Sequence, residues 1–356
     1  MRAVLFLAAA GLAWAQQPRI TNAKFDTRAV AAGLEREFQS IAAAHDGAAW
    51  IGYAVHAIPG QHQMCCYSSF EDGAGSRCCR GCALEGARAG AAVSGATPAP
   101  IQLEGGGDIF VLFRIENRAV DRIRTFSADC ELDGGGLPFH WLTGVPAAES
   151  VTFLTRFARD EADDEGRHRR SEPAIAAIAL HADSAADQAL ETLVTPSQPE
   201  SLREKATFWL GSARSHRGYE VLRRIVAQDP SEHVREKAIF GLSVTTEPEA
   251  VATMIEVAKN DRSTHVRGQA LFWLAHKAGQ KAATAITAVI DSDPDTDVKK
   301  KAVFALQQLP PDEGVPLLIQ VARGNKNPAV RKQAMFWLGQ SQDPRAVQFF
   351  EEILLR

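Results

Sequence analysis

The second half of this chain has no cysteine, and neither half has an excess of basic residues. Residues 170–356 carry 23 Lys and Arg against 23 Asp and Glu, and residues 16–169 carry 15 against 20. A surface that holds nucleic acid through its phosphates needs a clear excess of positive charge. We therefore expect no nucleic-acid partner.

Common catalytic patterns are also absent. The chain has no Gly-x-Ser-x-Gly, His-Glu-x-x-His, Walker or Rossmann fingerprint, which are patterns of hydrolases, zinc peptidases and nucleotide-binding enzymes. The sequence thus predicts no catalytic residue and no cofactor, and it favours a protein that is not an enzyme.

Long apolar runs are missing beyond the first 15 residues. Arg2 is followed by an apolar segment and by the small-residue pattern Ala13-Trp14-Ala15, which is typical of a secretory signal peptide cleaved after Ala15. No other stretch approaches the ~18 apolar residues of a membrane-spanning helix. We expect residues 1–15 to be removed, the mature protein to be exported to the periplasm or the extracellular space, and no membrane span.

The second half does contain a sequence frame that repeats every 32 residues. A fixed period of this length, held without insertion, predicts a solenoid of stacked structural units. The frame is read most easily from its alanine and phenylalanine slots. These slots hold Ala206, Ala238, Ala270, Ala302 and Ala334, and Phe208, Phe240, Phe272, Phe304 and Phe336.

Each repeat carries two apolar stripes with helical spacing. Val234, Ala238 and Leu242 follow i, i+4, i+8, and Met254 and Val257 continue the pattern after a polar turn. A repeat is therefore expected to be a pair of short antiparallel helices. Neither helix can bury its stripe alone, so stacking of several copies is required.

The pattern resembles HEAT repeats, in particular the short bacterial kind of phycobilisome-lyase-type proteins. The contiguous Trp209, Leu210 and Gly211 do not fit the tetratricopeptide spacing. The resemblance covers about half of the chain and implies a fold; nothing in the residues supports a bilin-lyase activity. It is carried by Asp229-Pro230, Val234-Arg235, Ala238 and Leu242, and again by Asp293-Pro294, Val298-Lys299, Ala302 and Leu306.

These observations predict a multidomain protein, in which a small α+β domain with a mainly antiparallel sheet precedes an all-α solenoid. We place the α+β, cysteine-containing domain at 16–160, a charged linker at 161–170, and the HEAT-like solenoid at 171–356. The solenoid has about six repeats, of which the first, at 171–201, is degenerate.

Within the first domain, Val30, Leu34, Phe38 and Ile41 predict a helix from about Thr27 to Ala44. A second helix is expected to begin near residue 146. Strands are predicted at 50–55, 109–116, 121–126 and 137–142.

All six cysteines lie in the first domain, and five of them fall within a short glycine-containing loop. An even number of cysteines in an exported chain favours structural disulfides, and the candidates are Cys65, Cys66, Cys78, Cys79, Cys82 and Cys130. Two alternatives remain open. One is a zinc site formed by Cys65, Cys66, Cys78, Cys79 and Cys82, with His62 as a further ligand. The other is redox chemistry at the Cys79-x-x-Cys82 motif.

The favoured function is protein binding on the exposed face of the second helices, with the partner's identity open. Thiol- or zinc-dependent activity in the Cys65–Cys82 loop, with the solenoid presenting the substrate, is the alternative. The residues expected to form the binding surface are Glu220, Arg224, Ala252, Glu256, Thr284, Gln320, Gln348 and Glu352.

Three further features of the repeats carry predictions. A basic residue recurs at Arg203, Arg235, Arg267, Lys299 and Arg331, and it predicts ion pairs and hydrogen bonds that join neighbouring repeats. Trp209, Trp273 and Trp337 alternate with small residues, which indicates packing between repeats rather than an aromatic binding stripe. The chain ends on apolar residues with no polar capping helix: either Gln348, Glu351 and Glu352 solvate the last helix sufficiently, or this helix is a contact for homo-oligomerisation or for a partner.

Overall fold

The computed structural model describes residues 19–60, 82–85, 107–128, 130–160 and 170–355. The expected signal peptide, Cys65, Cys66, Cys78 and Cys79 with His62, and positions 161–169 of the expected linker lie outside these residues. The chain divides into two compact units between Ala186 and Asp187. This division differs from the domain boundary expected at 161–170.

A five-stranded mixed sheet forms the centre of the first unit. With strands numbered in chain order, its order is β2 (Lys24–Ala29), β8 (Pro138–Thr143), β3 (Ala49–His56), β5 (Asp108–Glu116) and β6 (Ala119–Ser127). The two longest pairings, β3–β5 and β5–β6, are antiparallel, whereas β8 runs parallel to both β2 and β3. The expected mainly antiparallel sheet is confirmed, with a parallel side that was not foreseen.

The predicted helix at 27–44 is wrong at its start. Thr27 lies in β2, and the helix α1 spans Leu34–Ala43. Gly33 has a φ of 95°, which a continuing right-handed helix cannot accommodate. Glu149 accepts a hydrogen bond from the Leu34 backbone N–H at 2.8 Å and so satisfies one of the free donors at the start of α1.

Apolar side chains cover both faces of the five-stranded sheet. One face packs against α1 and α2 (Ala147–Ala158), where the rings of Phe38, Phe113 and Phe153 meet. The other face carries a buried cluster that includes Trp50 and Trp141. The first unit also contains a small parallel sheet of three strands. Their order is β1 (Arg19–Thr21), β7 (Glu131–Asp133) and β4 (Cys82–Ala83).

Helix α3 (Glu172–Leu180) belongs to the first unit, although the sequence frame suggested a degenerate repeat there. The Ile58 N–H donates to the Leu180 carbonyl at 2.8 Å. A fully buried polar chain also fixes the end of α3: the Tyr53 hydroxyl lies 2.7 Å from Ser150 Oγ, which lies 2.9 Å from His181 Nε2. Burial raises the pKa of Tyr53 well above its ordinary value.

In its described part, the second unit consists of helical pairs. The helix Ser184–Leu193 runs across the division between the units, and five pairs follow it. They are repeat 1 (Glu200–Ala213, Ser215–Gln228), repeat 2 (Glu232–Val244, Glu249–Asn260), repeat 3 (Thr264–Ala278, Gln280–Ser292), repeat 4 (Thr296–Gln307, Pro311–Gly324) and repeat 5 (Pro328–Gln340, Pro344–Leu354). The predicted solenoid of antiparallel helical pairs is confirmed.

A ladder of arginines joins the turns between repeats. All three guanidinium nitrogens of Arg235 donate: Nε and Nη2 to the Asp261 carboxylate at 2.8 and 3.0 Å, and Nη1 to the Asp229 carbonyl at 3.0 Å. Arg267 binds Asp293 and the Asp261 carbonyl in the same way. The predicted ladder is therefore confirmed for Arg203, Arg235 and Arg267, each of which pairs with the aspartate that ends its own repeat. Lys299 and Arg331, in the same slot, instead donate to backbone carbonyls just before their own helices.

Candidate protein-binding surface

The second helices of the repeats present the residues that the sequence predicted for binding. Glu220 is half-buried, and the other predicted residues are exposed. Their spacing follows from the frame, since equivalent slots of stacked helices lie side by side. The exposed members are Arg224, Ala252, Glu256, Thr284, Gln320, Gln348 and Glu352.

A first groove lies between the helix Ser184–Leu193 and the second helix of repeat 1. Its volume is about 470 Å³, and Arg224 is among its lining residues. Apolar side chains of Val194, Val221 and Ile225 also line it. The groove therefore combines a surface that can take an aliphatic side chain with a charged group beside it.

The charges along the first groove form a small network. Glu191 pairs with Arg217, and it also accepts a hydrogen bond from Arg224 at 3.4 Å. Arg223 pairs with Glu220 at 2.8 Å, and this hydrogen bond lowers the pKa of the Glu220 carboxyl. Glu191 is thus shared by two arginines, whereas Arg223 and Glu220 form a separate pair on the same helix, and all three guanidinium side chains are about half exposed to solvent.

A second groove lies between the second helices of repeats 1 and 2. Its volume is about 480 Å³, and Arg223 and Glu256 are among the residues that line it. Val226 and Val257 provide apolar surface. Arg262 closes one end by donating to the Asp229 carbonyl at 2.8 Å.

The structure brings only part of the predicted set together. Arg224 lines the first groove and Glu256 lines the second, whereas the other predicted residues lie outside both. Sequence reasoning missed Glu191, Arg217 and Arg223. Glu191 lies before the regular repeats, and the two arginines occupy frame slots that change residue type from repeat to repeat, so the frame gave no reason to select them.

The aromatic residues of the first helices pack between repeats, as the sequence indicated. The Trp273 ring lies 4.7 Å from the ring of Phe240 in the preceding repeat, and Trp337 lies 5.1 Å from Phe304. Gly241 occupies the intervening small slot, where an added Cβ would lie 2.8 Å from the Thr207 carbonyl oxygen. These contacts explain the alternation of large and small side chains.

Two of the six cysteines fall within the described residues. Cys82 begins β4, and Cys130 is 2% exposed in the core beside the small sheet. Over the same described ranges, no group of three or more His, Cys, Asp or Glu side chains is arranged to hold a metal ion. No helix there is long and apolar enough to cross a lipid bilayer.

The last helix, Pro344–Leu354, and the residue after it expose apolar side chains. Val347 is 54% exposed, and Leu354 and Leu355 are 83% and 88% exposed. Phe349 on the same helix is buried, with the Arg323 guanidinium over its ring. One side of this helix is therefore packed, with Phe349 beneath Arg323 of repeat 4, whereas the side that carries Val347 and Leu354 is exposed.

Comparison with known families agrees with the repeat architecture. Residues 186–275 and 283–356 match the sequence profile of HEAT repeats. The C-terminal half of the chain is thus a HEAT-repeat region that follows an α+β region. No curated protein sequence matches the chain significantly.

Several solved structures are distantly similar. They are human deoxyhypusine hydroxylase in complex with glycerol (16% identity, 58% of this chain and 90% of that chain, TM-score 0.25), the Escherichia coli protein YibA (20%, 57% and 76%, TM-score 0.36) and the CpcE–CpcF complex of phycocyanin lyase from Nostoc sp. (17%, 56% and 92%, TM-score 0.30). These similarities are too distant to bear on the activity of this chain.

Proposed function

We propose that the HEAT-repeat region is a non-enzymatic scaffold that binds another protein through the exposed face of its second helices. The observation that carries this proposal is the pair of grooves between successive second helices, each of which combines apolar walls with charged side chains. Protein ligands of helical repeat arrays use such extended surfaces between stacked units.

The first groove favours a partner segment with an aliphatic side chain next to a carboxylate. Val194, Val221 and Ile225 would bury the aliphatic group. Because Arg217 and Arg224 share the single carboxylate of Glu191, a carboxylate of the partner can pair with one of these arginines while Glu191 keeps the other. Charge complementarity of this kind contributes to specificity and to the association rate.

We also propose that the protein is exported and that the cysteines of the first unit form disulfides. The signal-peptide pattern at 1–15 supports export. The buried position of Cys130 in the core of the first unit, where it is not available as a free surface thiol, supports disulfide formation. Thiol titration and zinc analysis of the exported protein separate this proposal from the thiol- or zinc-dependent alternative. The exposed apolar side of the last helix also supports self-association, which light scattering at high concentration tests.

The binding proposal is tested by photo-crosslinking from chosen faces of the repeat region. A photoreactive residue at Ala252, on the second helix of repeat 2, is expected to capture a partner from cell envelopes. The same residue at Lys237, exposed on the first helix of that repeat, serves as the matched control. Arg224→Glu is expected to reduce capture from Ala252 at least tenfold. Equal capture from both faces, or capture unaffected by Arg224→Glu, contradicts the proposal.

A further inference from the structure

Two histidines from distant parts of the first unit meet at their ring nitrogens. His140 lies on β8, and His45 lies just after α1. The Nε2 atoms of the two rings are 2.7 Å apart. The side chain of His140 is only 10% exposed, whereas His45 is half-buried near the surface.

The strand register explains the orientation of His140. Asp26 on β2 lies directly across from His140 in the parallel β2–β8 pairing. Its Oδ1 atom lies 2.5 Å from His140 Nδ1. Because a carboxylate can only accept a hydrogen bond, Nδ1 carries the proton, and the lone pair of Nε2 is directed towards His45.

Because Nδ1 of His140 is occupied by Asp26, its Nε2 lone pair faces either a proton that His45 donates or a cation that both rings share. A carboxylate on the far nitrogen of an imidazole is the usual arrangement around metal-binding histidines, since it fixes the tautomer and the ring orientation.

We propose that His45 and His140 form a binding site for zinc or another divalent transition metal that prefers imidazole nitrogen, with Asp26 positioning His140. Zn–N bonds of about 2.0–2.1 Å at a tetrahedral angle place two ligand nitrogens about 3.3 Å apart. The two rings must then separate by roughly 0.6 Å on metal binding. His45 can provide this movement, since it lies in the short connection between α1 and β3.

The proposed site takes only two protein ligands. Across the described parts of the chain, no third His, Cys, Asp or Glu side chain joins these two histidines in a metal-binding group. Water would complete the coordination, so the affinity should be lower than that of a closed structural zinc site. Imidazole ligands favour Zn²⁺, Cu²⁺ and Ni²⁺ over Mg²⁺ and Ca²⁺. This site is in the first unit and is independent of the proposed scaffold function.

The chain offers a matched control for a test of this site. His56 also places Nδ1 2.5 Å from a carboxylate, that of Asp108, but its side chain is 78% exposed. Among the described residues, no second imidazole lies within hydrogen-bonding distance of His56. If any histidine–aspartate pair bound metal, substitution of His56 would therefore weaken metal binding as much as substitution at the His45–His140 site.

The test is a calorimetric titration of the full chain with zinc chloride, after alkylation of any free thiols. Wild type and His56→Gln should bind zinc with the same Kd, whereas His45→Gln should weaken binding at least tenfold. Asp26→Asn should weaken it about 10- to 100-fold, as other second-sphere substitutions do.

Copper-loaded wild type should show nitrogen hyperfine splitting from two imidazoles by electron paramagnetic resonance. Unchanged zinc binding in His45→Gln, or no binding by wild type, overturns the proposal. Circular dichroism melts confirm that the variants are folded.

Discussion

Repeats 2 and 3 differ from repeat 4 in how the first helix of each repeat is bonded to the turn that ends the repeat. In repeats 2 and 3, Arg235 and Arg267 each bind a buried aspartate at the end of the repeat. In repeat 4 the same slots hold Lys299 and Asn325, and Lys299 donates instead to the Asp291 carbonyl at 2.9 Å. The helical frame is unchanged across this point, so the fold does not depend on the ladder.

This difference distinguishes the apolar packing that holds the helices together from the ion pairs that fix the spacing between turns. Apolar slots such as Ala238, Ala270 and Ala302 are completely buried in all three repeats and hold the helices together. The buried ion pairs add directional contacts that fix how far one turn lies from the next. Because repeat arrays are stabilised by nearest-neighbour terms, repeat 4 should open more readily than repeats 2 and 3.

The largest effect is expected from breaking the ladder. Arg235→Ala leaves Asp261, whose side chain is 5% exposed, without its positive partner, and we expect a loss of about 3–5 kcal/mol in the free energy of unfolding. Lys299→Ala, in the same slot of repeat 4, should cost about 1 kcal/mol or less, because only one hydrogen bond to a backbone carbonyl is lost. Urea denaturation of the two variants measures both values. Equal losses would show that the ladder has no special part in stability.

A smaller effect is expected where two helices approach closely. A Cβ on Gly211 would lie 2.2 Å from the Gly241 carbonyl oxygen, whereas a Cβ on Gly339, in the same frame slot of repeat 5, meets no atom within 4 Å. Gly211→Ala should therefore destabilise the region by about 1–3 kcal/mol through the required backbone shift. Gly339→Ala should be neutral or stabilising by up to about 1 kcal/mol, because alanine favours the helix. Thermal denaturation compares them, and a stabilising Gly211→Ala contradicts the close approach.

The second unit could be predicted almost completely because its contacts repeat. Once Val234, Ala238 and Leu242 define one helix, the same spacing defines the others, and each helix packs on a neighbour close in sequence. The first unit offered no such redundancy. Its parallel β2–β8 pairing joins Asp26 to His140, and no local pattern carries information about strands so far apart.

The candidate sites differ in the same way. The repeating frame predicted that Arg224 and Glu256 lie on the exposed face of the second helices. It could not predict which positions line a groove, because one wall of the first groove includes Glu191, which lies on a helix before the regular repeats. The pairing of His45 with His140 depends on the sheet and on the end of α1 together. Because this part of the sequence has no repeating frame, nothing in it predicts that the two histidines are in contact.

Extension of the ladder into repeat 4 is expected to have the smallest effect and is the most specific test of the comparison. The double substitution Lys299→Arg with Asn325→Asp recreates the pair that Arg267 and Asp293 form one repeat earlier. Asn325 already accepts a hydrogen bond from the Asn327 backbone N–H at 2.9 Å, and an aspartate can keep this contact. Removal of two charged groups from water offsets most of the attraction between them, so we expect a change in stability within about 1 kcal/mol. Hydrogen exchange should nevertheless slow in the turn at 325–327, since the new pair constrains that turn directly. Either single substitution should leave the exchange rate there unchanged or faster, and protection by Lys299→Arg alone would mean that the aspartate is not needed to close the ladder.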